Sequence, residues 1–151
     1  MEPVPVADLC AYLAGSWRVE RTLVDRSSGS RGRFDGTVLF VPGDFEPDGG
    51  GLRQREHGTI SWPTYTGKAT REYLLQATTE PAALDIYFPA GRFFHTLNLS
   101  AGTWTTVHGC APDTYTVTYH VVSARRLDYE WDVSGPDKNL LLTTSLFRPV
   151  G

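Results

Sequence analysis

Residues 15–23 read GSWRVERTL. Trp17, Val19, Arg21 and Leu23 alternate there with Arg18, Glu20 and Thr22. A period of two sends successive side chains to opposite faces of a strand, so this is a strand with one inward face. The residues just before it keep a different period. Leu9, Tyr12 and Leu13 recur at helical spacing after Asp8, whose carboxylate suits a helix start, and Gly15 ends the run. The opening MEPVPV, residues 1–6, reads as extended chain.

Outward from that strand the period of two persists. A Gly/Ser turn at 27–31 leads to Phe34, Gly36, Val38 and Phe40 on one face. Pro42–Gly51 is a mobile loop by composition. Leu52–Ile60 and Thr66–Ala77 then flank a turn at Trp62–Pro63, and Ala83–Phe88 and Arg92–Asn98 flank Pro89–Gly91. Trp104–Cys110 and Thr114–Val122 flank Ala111–Asp113, and Leu127–Val133 and Leu140–Arg148 flank Ser134–Asp137. About ten strands, each joined to the next by a short turn, make a meander. A flat sheet of that size would leave two unpaired edges, and closure into an up-and-down antiparallel barrel removes them. A two-sheet sandwich is the alternative.

Composition bounds the rest. The chain has 151 residues, 40% hydrophobic and 21% charged, which suits a single globular domain over residues 1–151. A net charge of −3 with scattered basic residues argues against a nucleic-acid partner. The tightest basic group, Arg26, Arg31 and Arg33, reads as a solvated hairpin tip. Cys10 and Cys110 offer no zinc spacing, and no metal or other cofactor is expected. The N-terminus lacks a basic region followed by a long apolar one, and no apolar run reaches the ~18 residues of a membrane helix. The expectation is a cytoplasmic protein with reduced thiols and no membrane partner.

Gly15–Ser16–Trp17 matches the G-x-W that opens the first strand of lipocalins after a short helix. Lipocalin-like barrels often lay an arginine from the last strand across that tryptophan, and Arg148 stands where it could do so. A planar guanidinium stacks on an indole face and caps the closed end. The chain also resembles, over nearly its whole length, a family of small bacterial lipocalin-like proteins of unknown function. The stretches that carry this are GSWRVERTLVDRSSGSRGRFDGTVLF, ATREYLL, FPAGRFFHTLNL, HGCAPDTYTVTYHV and WDVSGPDKNLLLTTSLFR. The resemblance implies an all-β, lipocalin-like barrel with a short N-terminal helix, and no particular activity.

In a barrel, a polar residue in phase with inward apolar ones is either satisfied in the core or lines a site. Arg21, Gln54, Glu56, Arg71, Tyr73, Tyr119, Tyr129, Trp131 and Thr144 qualify, with Phe94 as an aromatic at the barrel mouth. A buried Glu56 needs a cationic partner, and Arg21 and Arg71 are the candidates. Either these three form a structural network closing one barrel end, or Arg71 and Glu56 anchor a polar head group while the aromatics hold the apolar body. His108, Glu56 and Tyr115 are the candidate catalytic groups, since imidazole titrates near neutral pH. His108 and Cys110 share a face about 7 Å apart, which does not assure a thiolate–imidazole pair. His108 could also serve a haem iron, with nothing else pointing that way. His57, His95 and His120 fall out of phase and are expected at the surface or rim. Lys138 belongs first to a turn, though it could attract an anion at the mouth.

The inventory favours a binder of a small apolar or amphipathic molecule inside the barrel. The alternative is an enzyme, such as a cyclase, isomerase or hydratase, doing cofactor-free acid–base chemistry in the same cavity. The oligomeric state is not legible.

Overall fold

Alternation governs the chain almost throughout. The computed structural model describes residues 2–43 and 50–149, so most of the loop expected at 42–51 lies outside the described residues. A short helix, α1 (Leu9–Leu13), precedes β1 (Gly15–Asp25), β2 (Ser30–Pro42), β3 (Gly51–Trp62), β4 (Tyr65–Ala77) and β5 (Ala83–Tyr87). There follow β6 (Phe93–Asn98), β7 (Thr103–Cys110), β8 (Asp113–Ser123), β9 (Arg126–Ser134) and β10 (Asn139–Phe147). In β9, Leu127, Tyr129, Trp131 and Val133 are all buried while the residues between them are not.

The strands form one sheet of 10 in the order β6-β5-β4-β3-β2-β1-β10-β9-β8-β7, all pairs antiparallel. The first and last strands therefore meet, with Val19 opposite Leu146 and Arg21 opposite Thr144. The ring is interrupted at one place. Among the described residues, β6 and β7 share no backbone ladder although they are consecutive in the chain. Side chains close that seam instead. The Trp104 indole N–H donates to the Thr96 carbonyl at 2.7 Å, and the Phe94 and His108 rings meet edge to face at 5.2 Å. At the same end as α1 the N-terminal segment wedges into the gap, Val4 donating to Val121 and Val6 to Leu99, each at 3.0 Å. The Thr96 carbonyl on the unpaired edge of β6 thus finds a side-chain donor, and the N-terminal segment bonds the turn after β6 and the end of β8.

The helix end is built as the sequence leads one to expect. Asp8 accepts from the Ala11 N–H at 3.1 Å, and Gly15 turns the chain into β1 at φ 110°, a conformation side chains disfavour. Trp17 is fully buried and donates to Leu13 O at 2.8 Å. The Arg148 guanidinium lies 4.0 Å from its ring centroid and donates to the carbonyls of Tyr12 and Ala14, at the C-terminal end of α1. One further pair of glycines shapes the wall. A Cβ on Gly36 would come within 2.2 Å of His57 O, and one on Gly58 within 2.2 Å of Asp35 O. Only glycine permits β2 and β3 to approach this closely, which bends the sheet toward closure.

Candidate functional site

Two groups of inward side chains occupy the barrel. The first is polar and stands at mid-height, where Arg21 projects from β1. Its guanidinium binds Glu56 through its two terminal nitrogens, at 2.6 and 2.8 Å. It also donates to Thr144 Oγ1 at 2.7 Å and to the Tyr129 hydroxyl at 3.1 Å. Arg21 is 4% exposed and Glu56 3%, so the ion pair is withdrawn from water. Burial by itself lowers the Arg21 pKa, but Tyr129 and the bonded Glu56 carboxylate raise it further, and the net shift is upward. The partner of Glu56 is thus Arg21 from across β2, and not Arg71, which lies directly opposite it on β4. The four residues stand near the middle of β1, β3, β9 and β10, so the network lies at mid-height rather than across one end.

The second group is aromatic. Phe94 is 1% exposed, and its ring centroid lies 4.7 Å from Phe88, 5.2 Å from Trp131, 5.6 Å from Tyr115 and 6.1 Å from Tyr73. Tyr119 and Tyr129 stack on each other at 5.0 Å. The Arg71 guanidinium rests 4.9 Å from the Trp131 ring and, among the described residues, makes no ion pair. A cavity opens within this group, walled by the expected Gln54, Arg71, Tyr73 and Phe94, and by Tyr119, Tyr129 and Trp131. It offers about 20 Å³ to the centres of water molecules, room for roughly one.

Arg21, Glu56 and Thr144 are not on that wall, and neither are His108 and Tyr115. His108 and Tyr115 are cross-strand partners with ring centroids 6.4 Å apart. Both hydrogen-bonding oxygens of Glu56 are engaged by Arg21, so no free carboxylate base accompanies them. Burial, followed by the Arg92 charge, pulls the His108 pKa down. Cys10 and Cys110 are free thiols. His57 is exposed and His120 half-buried, in keeping with a surface or rim position.

His95 corrects its expected place. It is 3% exposed and lines the cavity. The reason is a β-bulge: Ile86 pairs with His95 but Tyr87 with Phe93, so Phe94 is an extra residue on β6. A bulge changes the inward phase, and both Phe94 and His95 end up buried. The adjacent phenylalanines at 93 and 94, large apolar residues that strict alternation would send to opposite faces, were the available signal. His95 Nδ1 lies 2.9 Å from Thr96 O. Its Nε2 is buried with no hydrogen-bond partner among the described residues, and so is Nε1 of Trp131. The Trp131 N–H comes close enough to Tyr119 to favour its phenolate, yet the two do not reach hydrogen-bond geometry.

Burial pushes the Tyr73 hydroxyl up to about 12, with Arg71 opposing, and raises Tyr119 and Tyr129 above the ordinary 10.0. Burial lowers His95 below 6.5, against the Thr96 hydrogen bond. A phenol whose folded pKa is raised contributes stability that is intact below pH 10.0 and is lost as the pH climbs through it toward about 12. A histidine whose folded pKa is depressed contributes stability that is intact above pH 6.5 and is lost as the pH falls below it. Denaturant unfolding at a series of pH values should show a plateau between those limits. His95→Phe should shrink the acid limb above about pH 5, before carboxylates titrate. An unchanged limb in that variant would contradict the buried neutral imidazole.

Fold and interior together define an all-β barrel with an aromatic-walled cavity. The chain belongs to the family of unknown function DUF6314, which matches residues 13–148. No curated protein matches it by sequence. Among solved structures it is similar to the S-type phycobiliprotein lyase of Guillardia theta, at 10% identity and TM-score 0.68, covering 98% of this chain and 94% of that one. It is also similar to a de novo designed fluorescence-activating β-barrel, at 13% identity and TM-score 0.50, covering 95% of this chain and 100% of that one. At such identities the likeness is one of fold. No described helix is long and apolar enough to cross a membrane.

Proposed function

We propose that this protein binds a small, mostly apolar, aromatic molecule inside its barrel. The observation that carries this is the gathering of Tyr73, Phe88, Phe94 and Trp131 rings about one interior point, beside two buried nitrogens without partners. A core built for stability alone leaves no buried polar atoms without partners. This interior instead has flat faces suited to stacking and a cation, Arg71, over the Trp131 ring. The phycobiliprotein lyase and the fluorescence-activating design share the fold, which supplies the enclosed interior that such binding needs.

At rest the cavity has room for about one water, so a guest must take the place of a side chain. Phe94 is that side chain. It projects from a bulge, on a strand joined to β7 by side-chain contacts alone. The guest enters along this seam, where no ladder of backbone bonds has to break.

The test is titration with 1-aminoanthracene, an uncharged planar fluorophore. Saturable one-to-one binding, with blue-shifted emission and energy transfer from tryptophan, is expected. Trp131→Ala should weaken it by about tenfold or more, whereas Val107→Ala, at a residue 64% exposed, should not change it. Absence of saturable binding, or equal loss in both variants, would overturn the proposal.

A further inference from the structure

The geometry points to a hydroxyl-binding subsite in this cavity, in which His95 Nε2 accepts a hydrogen bond from a guest's hydroxyl and Trp131 Nε1 donates one to it. The subsite rests on the binding role above and names the polar feature of its guest. His95 Nδ1 faces the Thr96 carbonyl at 2.9 Å. A carbonyl can only accept, so Nδ1 carries the proton and Nε2 presents a bare lone pair. The imidazole is 97% withdrawn from water, being 3% exposed, and burial keeps it neutral. Trp131, 8% exposed, has an indole N–H that can only donate. Both rings pack on Phe94, at 4.6 and 5.2 Å between centroids, and both residues are among those that wall the cavity. Neither nitrogen reaches hydrogen-bond geometry with a partner among the described residues, although the Tyr119 hydroxyl stands near the Trp131 N–H. One orphaned nitrogen in a folded core is uncommon, and two of opposite sense, on residues that wall one small cavity, point to a complementary ligand group.

The pairing discriminates among functional groups. A carboxylate has no proton for Nε2, and an ammonium has no lone pair for the indole. An ether or ketone satisfies Trp131 and leaves His95 bare. A hydroxyl satisfies both through a single oxygen, and it is the group closest in size to the water this cavity can hold. The Glu56 and Arg21 charges neutralise each other outside the cavity wall, so they do not call for an ion there. The guest is therefore an uncharged aromatic alcohol or phenol, its ring where Phe94 now lies and its oxygen between His95 and Trp131.

The experiment compares 2-naphthol, 2-methoxynaphthalene, naphthalene and 2-naphthoate by calorimetry on the intact protein, on His95→Phe and on Trp131→Phe. The expected result is that 2-naphthol binds about tenfold or more tighter than the methyl ether and the hydrocarbon. Each variant should bring that ratio to within about twofold while still binding naphthalene. Nitrogen-15 spectra should show His95 as the Nδ1–H tautomer, with Nε2 shifting on addition of 2-naphthol and not of its ether. Should naphthalene and the ether match 2-naphthol, the subsite is wrong while binding inside the barrel stands. Tightest binding of 2-naphthoate would also overturn it, by giving the polar anchor to Arg71. Binding of none of these probes would remove the binding role and the subsite together. An Nε2–H tautomer would remove the subsite by itself.

Discussion

Glu56→Leu is expected to destabilise the barrel by about 3–5 kcal/mol in urea unfolding, because it strands the Arg21 guanidinium in the interior without a counter-ion. Arg21→Met should cost a similar amount by stranding the carboxylate. The double variant should come back to near the parent stability, within about 2 kcal/mol, since two buried charges leave together. The geometry supports a coupling this large: the pair is bidentate at 2.6 and 2.8 Å, and the side chains are 3% and 2% exposed. The Thr144 and Tyr129 hydroxyls each lose one donor in the double variant and set the residual cost. A surface pair such as Arg33–Asp35 would show nothing comparable. If either single substitution costs less than about 1 kcal/mol, water reaches the pair and its burial is not as described. The double variant also separates stability from function. The pair lies outside the cavity wall and touches it only through the Tyr129 hydroxyl, so the double variant should keep the preference for 2-naphthol over its methyl ether.

The same ion pair shows what a sequence reveals and what it withholds. That Glu56 points inward follows from its phase with Leu52, and that it needs a cation follows from electrostatics. Which cation it takes does not follow, because Arg71 is its neighbour in register while Arg21 reaches it from beyond β2. Alternation is a property of one strand, whereas the choice between those arginines depends on curvature, set in part by the close approach of Gly36 and Gly58. The closed end was more legible, because the resemblance to lipocalins implies one arrangement, a last-strand arginine laid across the G-x-W tryptophan. Trp17 and Arg148 adopt it. His95 was hidden by the bulge at Phe94, for an extra residue reverses the inward phase of everything that follows it on the strand. The size of the cavity was illegible for another reason. Counting inward rings gives the material of a wall, and only their packing decides how much space they leave.

That packing makes Phe94→Ala the most informative change. The ring is 1% exposed and wedged between Phe88 at 4.7 Å and Trp131 at 5.2 Å. Its removal should cost about 3–5 kcal/mol, the usual penalty for emptying a buried phenylalanine site. Binding should move the opposite way. On the proposed displacement of Phe94, a guest reaches the parent's interior only in the fraction of molecules whose ring has swung aside, and the apparent affinity is reduced by that fraction. The truncated protein is open all the time, so 1-aminoanthracene should bind it about tenfold or more tighter than the parent, in spite of the lower stability. Few other substitutions in a core would weaken the fold and strengthen a complex at once. A wall residue behaves otherwise, since its loss removes stacking surface and weakens the complex, as expected for Trp131→Ala. Weaker binding to Phe94→Ala, measured on protein still folded by circular dichroism, would put Phe94 in the wall and the guest somewhere else.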